Sequence, residues 1–344
     1  MSGFAEDKRL EDYSLAHGII EPNSLVIVDI GAAGGLQAKW HSAAECVQWI
    51  GFEPNPIEYQ QLLGEGKLGK SSRVYPHAIA DTQGHRTFFN TQFPDSSGFI
   101  RGNTQFLNRL YGCMVENLKI CSSQTLETIT LDHFVEMEAI PTIDFIKIDV
   151  EGFEHRVLSG ATQVLKKMNV LGVESEICLG PIKDPDNWTA IDGILRGNGF
   201  FLFDITTRKY PRKTFPRGFL NDGAADGTGY HLHSSKYGQV LGGDVVYLKD
   251  PVWELENGDG QFEWTDANVM KMAIIYKTYA LYDCAIELLQ VYGRKFQTAL
   301  PIDLLCDFLT PWYRGEKLGY EEYLERCRSL PWDEMEHYRK RWVK

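Results

Sequence analysis

The chain has 344 residues, with 47 Asp and Glu against 35 Lys and Arg, for a net charge of -12. That balance argues against a general DNA or RNA binder, which needs cations to displace phosphate counterions, and against attachment to an anionic membrane surface. With 24% charged and 43% hydrophobic residues, the composition is globular, and the length suits one large domain with an appendage, or two domains. No apolar run approaches the roughly 18 residues of a membrane span. The acidic N-terminus MSGFAEDKRLEDYS lacks an apolar signal core, so a cytoplasmic location is expected. The seven Cys are scattered with no CxxC, the pattern of reduced, buried thiols and not of a zinc site or a disulfide framework.

Residues 1–24 are polar and predict a short helical extension. Over 25–250, short apolar runs alternate with amphipathic stretches, which predicts an α/β domain with a mostly parallel sheet. The runs are Leu25–Ile30, Val47–Glu53, Val74–Ile79, Ile143–Asp149, Val170–Ile177, Phe200–Thr206 and Asp244–Leu248. Most are apolar on both faces, as buried parallel strands are. A helix is predicted from Leu36, directly after the first strand. Others are predicted over 153–167, where Phe153, Val157, Ala161, Val164 and Leu165 share a stripe, and over 186–199. Two segments break the alternation. Residues 93–125 are polar and rich in Gly and Ser, and lead into an extra strand, TLETITL; residues 207–240 form a long segment rich in Gly, Pro and aromatics. Residues 251–344 predict a small helical domain, with helices over 266–292, 302–308 and 320–328. Its Trp253, Trp264, Trp312, Trp332 and Trp342 are expected to pack its core.

The most informative stretch is VIVDIGAAGGL. A strand passes Asp29 into Gly31-Ala32-Ala33-Gly34-Gly35, where glycines permit a tight turn and close backbone approach to a ligand. The second strand ends in Glu53, 22 positions beyond Gly31, the spacing of an acid that accepts hydrogen bonds from two ribose hydroxyls. Next, Asn55 can cap a helix opened by Pro56, with Glu58 completing a capping box. Glu53 is thereby held at the strand's C-terminal tip, where open α/β sheets bind ligands. The spacing G-x-x-G-G is not the G-x-G-x-x-G of dinucleotide folds, which weighs against an NAD(P) enzyme. Asp29 would repel a pyrophosphate but suits the cationic amino-acid end of S-adenosylmethionine.

Beyond the turn, DIGAAGG, FEPNP, AIADTQG, ETITLDHF and above all IDFIKIDVEGFEHRVLSGA resemble the FkbM family of methyltransferases, from Leu25 to Leu248. The resemblance implies a Rossmann-like class I methyltransferase fold, with a mostly parallel seven-stranded sheet whose last strand is antiparallel. It implies S-adenosylmethionine as methyl donor and O-methyl transfer to a hydroxyl of a sugar, a glycan or a polyketide-like product. By position it places Asp29 and Gly31, Ala32, Ala33, Gly34 and Gly35 at the methionine end, Glu53 at the ribose, and His77, Ala78 and Ile79 beside the adenine. Pro54, Asn55 and Asp149 complete the candidate cofactor site. His155 departs from the apolar or neutral residue expected there, and 251–344 lie outside the resemblance.

Asp149, Glu151 and Glu154 cluster at the end of the fourth strand. A hydroxyl attacking a sulfonium methyl is helped by losing its proton, so Asp149 or Glu151 is the candidate base or orienting group. Lys147 is expected to neutralise a neighbouring carboxylate, and Glu151 has the alternative role of capping the next helix. Magnesium is compatible with two acids but is not expected. Glu174 and Glu176 alternate and so share one strand face, where one can line the acceptor site. Arg208, Lys209, Arg212, Lys213 and Arg217 form a cationic loop without an acid. It is either a solvated balance to the acidic surface or a receptor for an anionic acceptor, such as a uronic or phosphorylated sugar. His231 and His233, with no nearby acid, do not predict a metal site. The alternative is a non-catalytic scaffold with a C-terminal interaction module. It predicts a degenerate cofactor turn, whereas Asp29, Gly31 and Glu53 are all present. No nucleic acid or membrane insertion is expected, and a homo-oligomer is compatible with the sequence.

Overall fold

The computed structural model describes residues 7–64, 71–110, 114–183, 187–214, 238–258, 263–313 and 315–329. Among the described residues there are ten strands: β1 (Leu25–Ile30), β2 (Val47–Phe52), β3 (Arg73–Tyr75), β4 (Ala78–Ile79), β5 (Gly84–Thr91), β6 (Ile120–Ile129), β7 (Phe145–Ile148), β8 (Gly172–Cys178), β9 (Phe201–Tyr210) and β10 (Gln239–Leu248). Seven form one sheet in the order β3-β2-β1-β7-β8-β10-β9. The pairs β2/β3, β1/β7 and β7/β8 are parallel, and β10 runs antiparallel to both neighbours. This is the expected α/β arrangement with one reversed strand. LVIVDI and FIKI are buried along their whole length, as central strands must be. Their Val28, Ile30, Ile146 and Ile148 pack with Val157, Leu158, Ile191 and Val245 in one core. The parallel course brings the C-terminal tips of β1 and β7 to one edge of the sheet.

Several expectations are corrected. No α-helix follows the glycine turn; the chain forms a six-residue 3-10 turn, Ala38–Ala43. The run Val74–Ile79 is two strands. Pro76 falls between them, and a proline cannot donate to a ladder. β3 stays in the large sheet while β4 joins a small one, β4-β6-β5. That small sheet absorbs TLETITL into β6 and pairs it antiparallel with β5. The helix over 153–167 is broken into Glu154–Ser159 and Thr162–Lys167. The break falls at Gly160, whose missing side chain admits the Ala80 carbonyl; a Cβ there would lie 2.0 Å from that oxygen. Arg208 and Lys209 belong to β9 and not to a loop. Arg217, His231 and His233 lie outside the described residues.

The chain divides into two compact units, one of residues 26–36 and 48–249, the other of residues 1–25, 37–47 and 250–344. In the second unit the run 266–292 is two helices, Asp266–Thr278 and Tyr282–Lys295. Ala280 takes a left-handed backbone, φ 58°, and the Leu281 N–H returns to the Tyr276 carbonyl at 2.8 Å, which closes the first helix. Aliphatic Val269, Ile274, Leu288 and Leu305 are buried in this unit. Of the tryptophans expected to pack this helical region, Trp264 is buried, but Trp253 and Trp312 are 53% and 45% exposed. Trp332 and Trp342 lie outside the described residues.

The N-terminal helix Arg9–Ala16 belongs to the same unit. Its buried Glu11 accepts from Lys277 Nζ at 2.7 and 2.6 Å. Removing one partner strands a charge out of water. Lys277→Met should therefore lower unfolding free energy by about 3 kcal/mol in urea titration, and Glu11→Leu combined with Lys277→Met should recover most of it. Equal stability of the single variant and the parent would show that the pair is not buried in solution. Among the described residues no helix is long and apolar enough to cross a membrane.

Candidate active site

At the C-terminal edge of the sheet, a cavity of about 580 Å³ opens between the tips of β1, β2 and β7. Its size falls within the about 300–1,000 Å³ of small-molecule sites. Gly31, Ala33 and Gly34 line one side; Glu53, Pro54 and Asn55 a second; His77, Ala78 and Ile79 a third; Asp149 and Glu151 a fourth. Most of the residues singled out from sequence are thus brought together.

Backbone conformation explains the glycines. Gly31 has φ 83°, and a Cβ on it would lie 1.9 Å from the Asp149 carbonyl oxygen. The tips of β1 and β7 can approach only if this residue has no side chain. β2 stops at Phe52, directly before Glu53; the Asn55 side chain accepts the Ile57 N–H at 2.9 Å, as a helix cap does, and Pro56 opens the helix Pro56–Gly64. The Asn55 N–H in turn donates to Glu53 Oε1 at 2.7 Å. Burial pushes the Glu53 carboxyl up to about 7, against the pull of that hydrogen bond. His77 stacks near Tyr75, ring centroids 6.3 Å apart, and stands edge-on to Phe134. With Phe52 and Phe99 it gives the cavity an aromatic wall.

Three expected cofactor residues lie outside this lining: Asp29, Ala32 and Gly35. Asp29 is 3% exposed and faces Lys147 at 3.2 Å and the Trp49 indole N–H at 3.2 Å. It acts as a buried counter-charge and does not reach the cavity. Lys147 fulfils its expected neutralising role. Its Nζ donates to the Gly31 carbonyl at 3.0 Å and lies 3.5 Å from Asp149 Oδ2. Burial alone would lower its pKa; Asp29 and Asp149 outweigh that and hold it above the usual lysine range.

The DVEG turn is held from below. Glu154, fully buried, accepts the Val150 and Gly152 N–H groups at 3.1 and 2.9 Å and the Asn187 amide at 2.6 Å. Burial raises its pKa to about 7, although these donors oppose the shift. Glu151 takes φ 61°, a strained conformation for a residue with a side chain. It does not cap the next helix; its carboxylate pairs with Lys183. Carboxylate oxygens of Asp149, Glu151 and Glu176 lie within 4.8 Å of one another. Glu176 on β8 pairs with Arg208 on β9, and Arg208 also holds Asp244 at 2.6 Å. Burial and then the carboxylates of Glu151 and Asp149 push Glu176 well above the usual range, against Arg208. Each of the three acids has a protein cation, Lys147 beside Asp149, Lys183 on Glu151 and Arg208 on Glu176, which offsets the charge that would draw a metal ion.

Sequence reading missed Lys183 and the partner of Glu176. The signal for the latter was the β-branched and aromatic run FFLFDITTRKY, which continues the strand to Tyr210 and carries Arg208 onto the sheet.

The seven-stranded sheet with one reversed strand and a glycine turn after the first strand is the class I methyltransferase fold. The family model described as the methyltransferase FkbM domain matches residues 29–202, just over half of the chain, and the protein belongs to that family. It is 39% identical over 158 residues to the hexuronic acid methyltransferase AglP of Haloferax volcanii. That match covers 45% of this chain and 58% of the relative, so the chain spans less than two thirds of the relative's length. Solved structures with similarity include the precorrin-6y C5,15-methyltransferase of Geobacter metallireducens, at 10% identity and TM-score 0.32, covering 70% of this chain and 87% of that one. Another is the magnesium protoporphyrin IX methyltransferase of Synechocystis with bound S-adenosylhomocysteine, at 9% identity and TM-score 0.29, covering 70% and 82%.

Proposed function

We propose that the protein is an S-adenosylmethionine-dependent O-methyltransferase acting on a hydroxyl of a sugar or glycan. The observation that carries this reading is the single cavity that joins the glycine turn, Glu53 and the aromatic wall to the carboxylates of Asp149, Glu151 and Glu176. The residues fit the cofactor. Gly31 leaves a cradle that a Cβ would fill, and Glu53 is an acceptor fixed by the Asn55 N–H. Phe52, His77 and Ile79 offer a flat apolar surface to an adenine, and Asp149, whose side chain is 43% exposed, faces the methionine end. When bound, S-adenosylmethionine supplies an activated methyl group on a sulfonium. The acidic cluster orients the acceptor hydroxyl and takes its proton as the new O–C bond forms. Lys147 and Arg208 fix the carboxylates in place, so little reorganisation accompanies the reaction.

A sugar acceptor is supported by the name of the relative, a hexuronic acid methyltransferase, which matches this chain across 45% of its length. The test is incubation with S-adenosylmethionine carrying a 13C methyl group and a panel of neutral and uronic glycosides. A new O-13CH3 resonance on a glycoside is expected. A protein that binds S-adenosylhomocysteine yet labels none of the panel would overturn the sugar assignment.

A further inference from the structure

A second cavity, about 230 Å³, adjoins the first and shares Glu151, Glu176 and Arg208 with it. Its floor is a small apolar cluster separate from the main core, to which Leu118, Ile182 and Leu241 contribute, with Cys178 and Tyr210 packed against it. One side is therefore aliphatic and aromatic, and the side toward the first cavity is ionic. A pyranose has this same division, with C–H faces and a rim of hydroxyls.

We propose that the second cavity is the acceptor subsite and receives one pyranose ring, its C–H face on the apolar floor and one hydroxyl directed between Glu151 and Glu176 toward the first cavity. The proposal rests on the methyltransferase reading above. Glu151 is pinned by Lys183 and strained in backbone, so it acts as a fixed acceptor that aims the hydroxyl. Glu176 stands in both cavities and takes the proton. The acceptor oxygen forms a bond to the methyl carbon as the carbon–sulfur bond breaks. The electron pair of that bond stays on sulfur, leaving a neutral thioether, and the hydroxyl proton passes to Glu176. The products are a methyl ether, S-adenosylhomocysteine and a proton.

Cys178→Phe would fill the cavity from its wall. The test follows saturation-transfer NMR signals of methyl β-D-glucopyranosiduronic acid and of methyl β-D-glucopyranoside on the full chain with S-adenosylhomocysteine bound. We expect ring-proton signals from at least one glycoside, lost in Cys178→Phe, while calorimetric affinity for S-adenosylhomocysteine changes less than about twofold. Signals retained in a variant that still binds S-adenosylhomocysteine would overturn the proposal, as would their absence in the parent protein that binds it. If Cys178→Phe loses S-adenosylhomocysteine as well, Tyr210→Ala decides. A signal at least about tenfold weaker supports the subsite, and an unchanged one refutes it. Failure of the parent to bind S-adenosylhomocysteine would instead strike the methyltransferase reading.

Discussion

Replacing Glu53 with Ala is expected to weaken S-adenosylhomocysteine binding by about 100- to 20,000-fold in calorimetric titration at pH 8. Glu53 stands at the tip of β2, in the wall of the larger cavity, and its Oε1 is fixed by the Asn55 N–H at 2.7 Å before any ligand arrives. In the proposed reading a ribose presents two hydroxyl donors to it. Hydrogen bonds to a charged acceptor contribute about 1.5–3 kcal/mol each, and two of them give the range stated. Glu53→Gln keeps the shape and one acceptor oxygen, so it should fall between the parent and the alanine variant. An unchanged titration of Glu53→Ala would take the ribose away from Glu53, and with it the main support for placing the cofactor in this cavity.

The same carboxyl gives the affinity a pH arm. Burial pushes it to about 7, and Glu58 and Asp29 add to the shift. Below pH 7 the free protein holds a proton there that must leave before both ribose hydroxyls can donate. Affinity should therefore fall about tenfold per pH unit below 7 and stay flat above it, and Glu53→Gln should abolish the slope. The stability of the unliganded protein runs the other way. A carboxyl raised by folding contributes stability that is fully present below its unfolded value of 4.5 and is lost as pH rises through 7.

The parts of this site that were legible in the sequence are those made within one strand and the turn after it. DIGAAGG, FEPNP and DVEG each place residues at a strand tip, and a local motif fixes their backbone. Features that depend on which strands become neighbours were hidden. Glu176 meets Arg208 only because β10 inserts between β8 and β9 and reverses, which aligns Asp244 with Glu176 on one side and Thr206 on the other. The small sheet was half visible. TLETITL alternates well enough to read as a strand, whereas β5, GHRTFFNT, is polar on its exposed positions and gains its place from pairing with β6. Asp29 was legible as an acid at the turn, but its neighbours were not: it is buried against Lys147 and the Trp49 indole, outside the cavity lining. The second cavity had no signature at all. Its lining is gathered from Ser96, Leu118, Glu151, Lys183, Tyr210 and Leu241, residues far apart in the chain.

Gly31→Ala is the second change with a large expected effect, and Gly34→Ala is its control. Both glycines have φ near 80°, so alanine at either meets the same backbone strain, about 1 kcal/mol. Their surroundings differ. A Cβ at Gly34 would meet nothing within 4 Å, whereas at Gly31 it would lie 1.9 Å from the Asp149 carbonyl oxygen and 2.9 Å from its carbon. That backbone cannot swing aside as a side chain can. The Asp149 N–H bonds to the Ile30 carbonyl at 2.9 Å, and the turn beyond it is tied down by Glu154. The tips of β1 and β7 would have to part, which adds an overpacking cost of about 1–3 kcal/mol. Gly31→Ala should lose about 2–4 kcal/mol in urea titration and all measurable S-adenosylhomocysteine binding, because Asp149 and Lys147 move with the displaced strand. Gly34→Ala should lose about 1 kcal/mol. If the two variants proved equally stable, the close approach of β1 and β7 at this turn would be wrong, and the shape of the cavity would have to be redrawn.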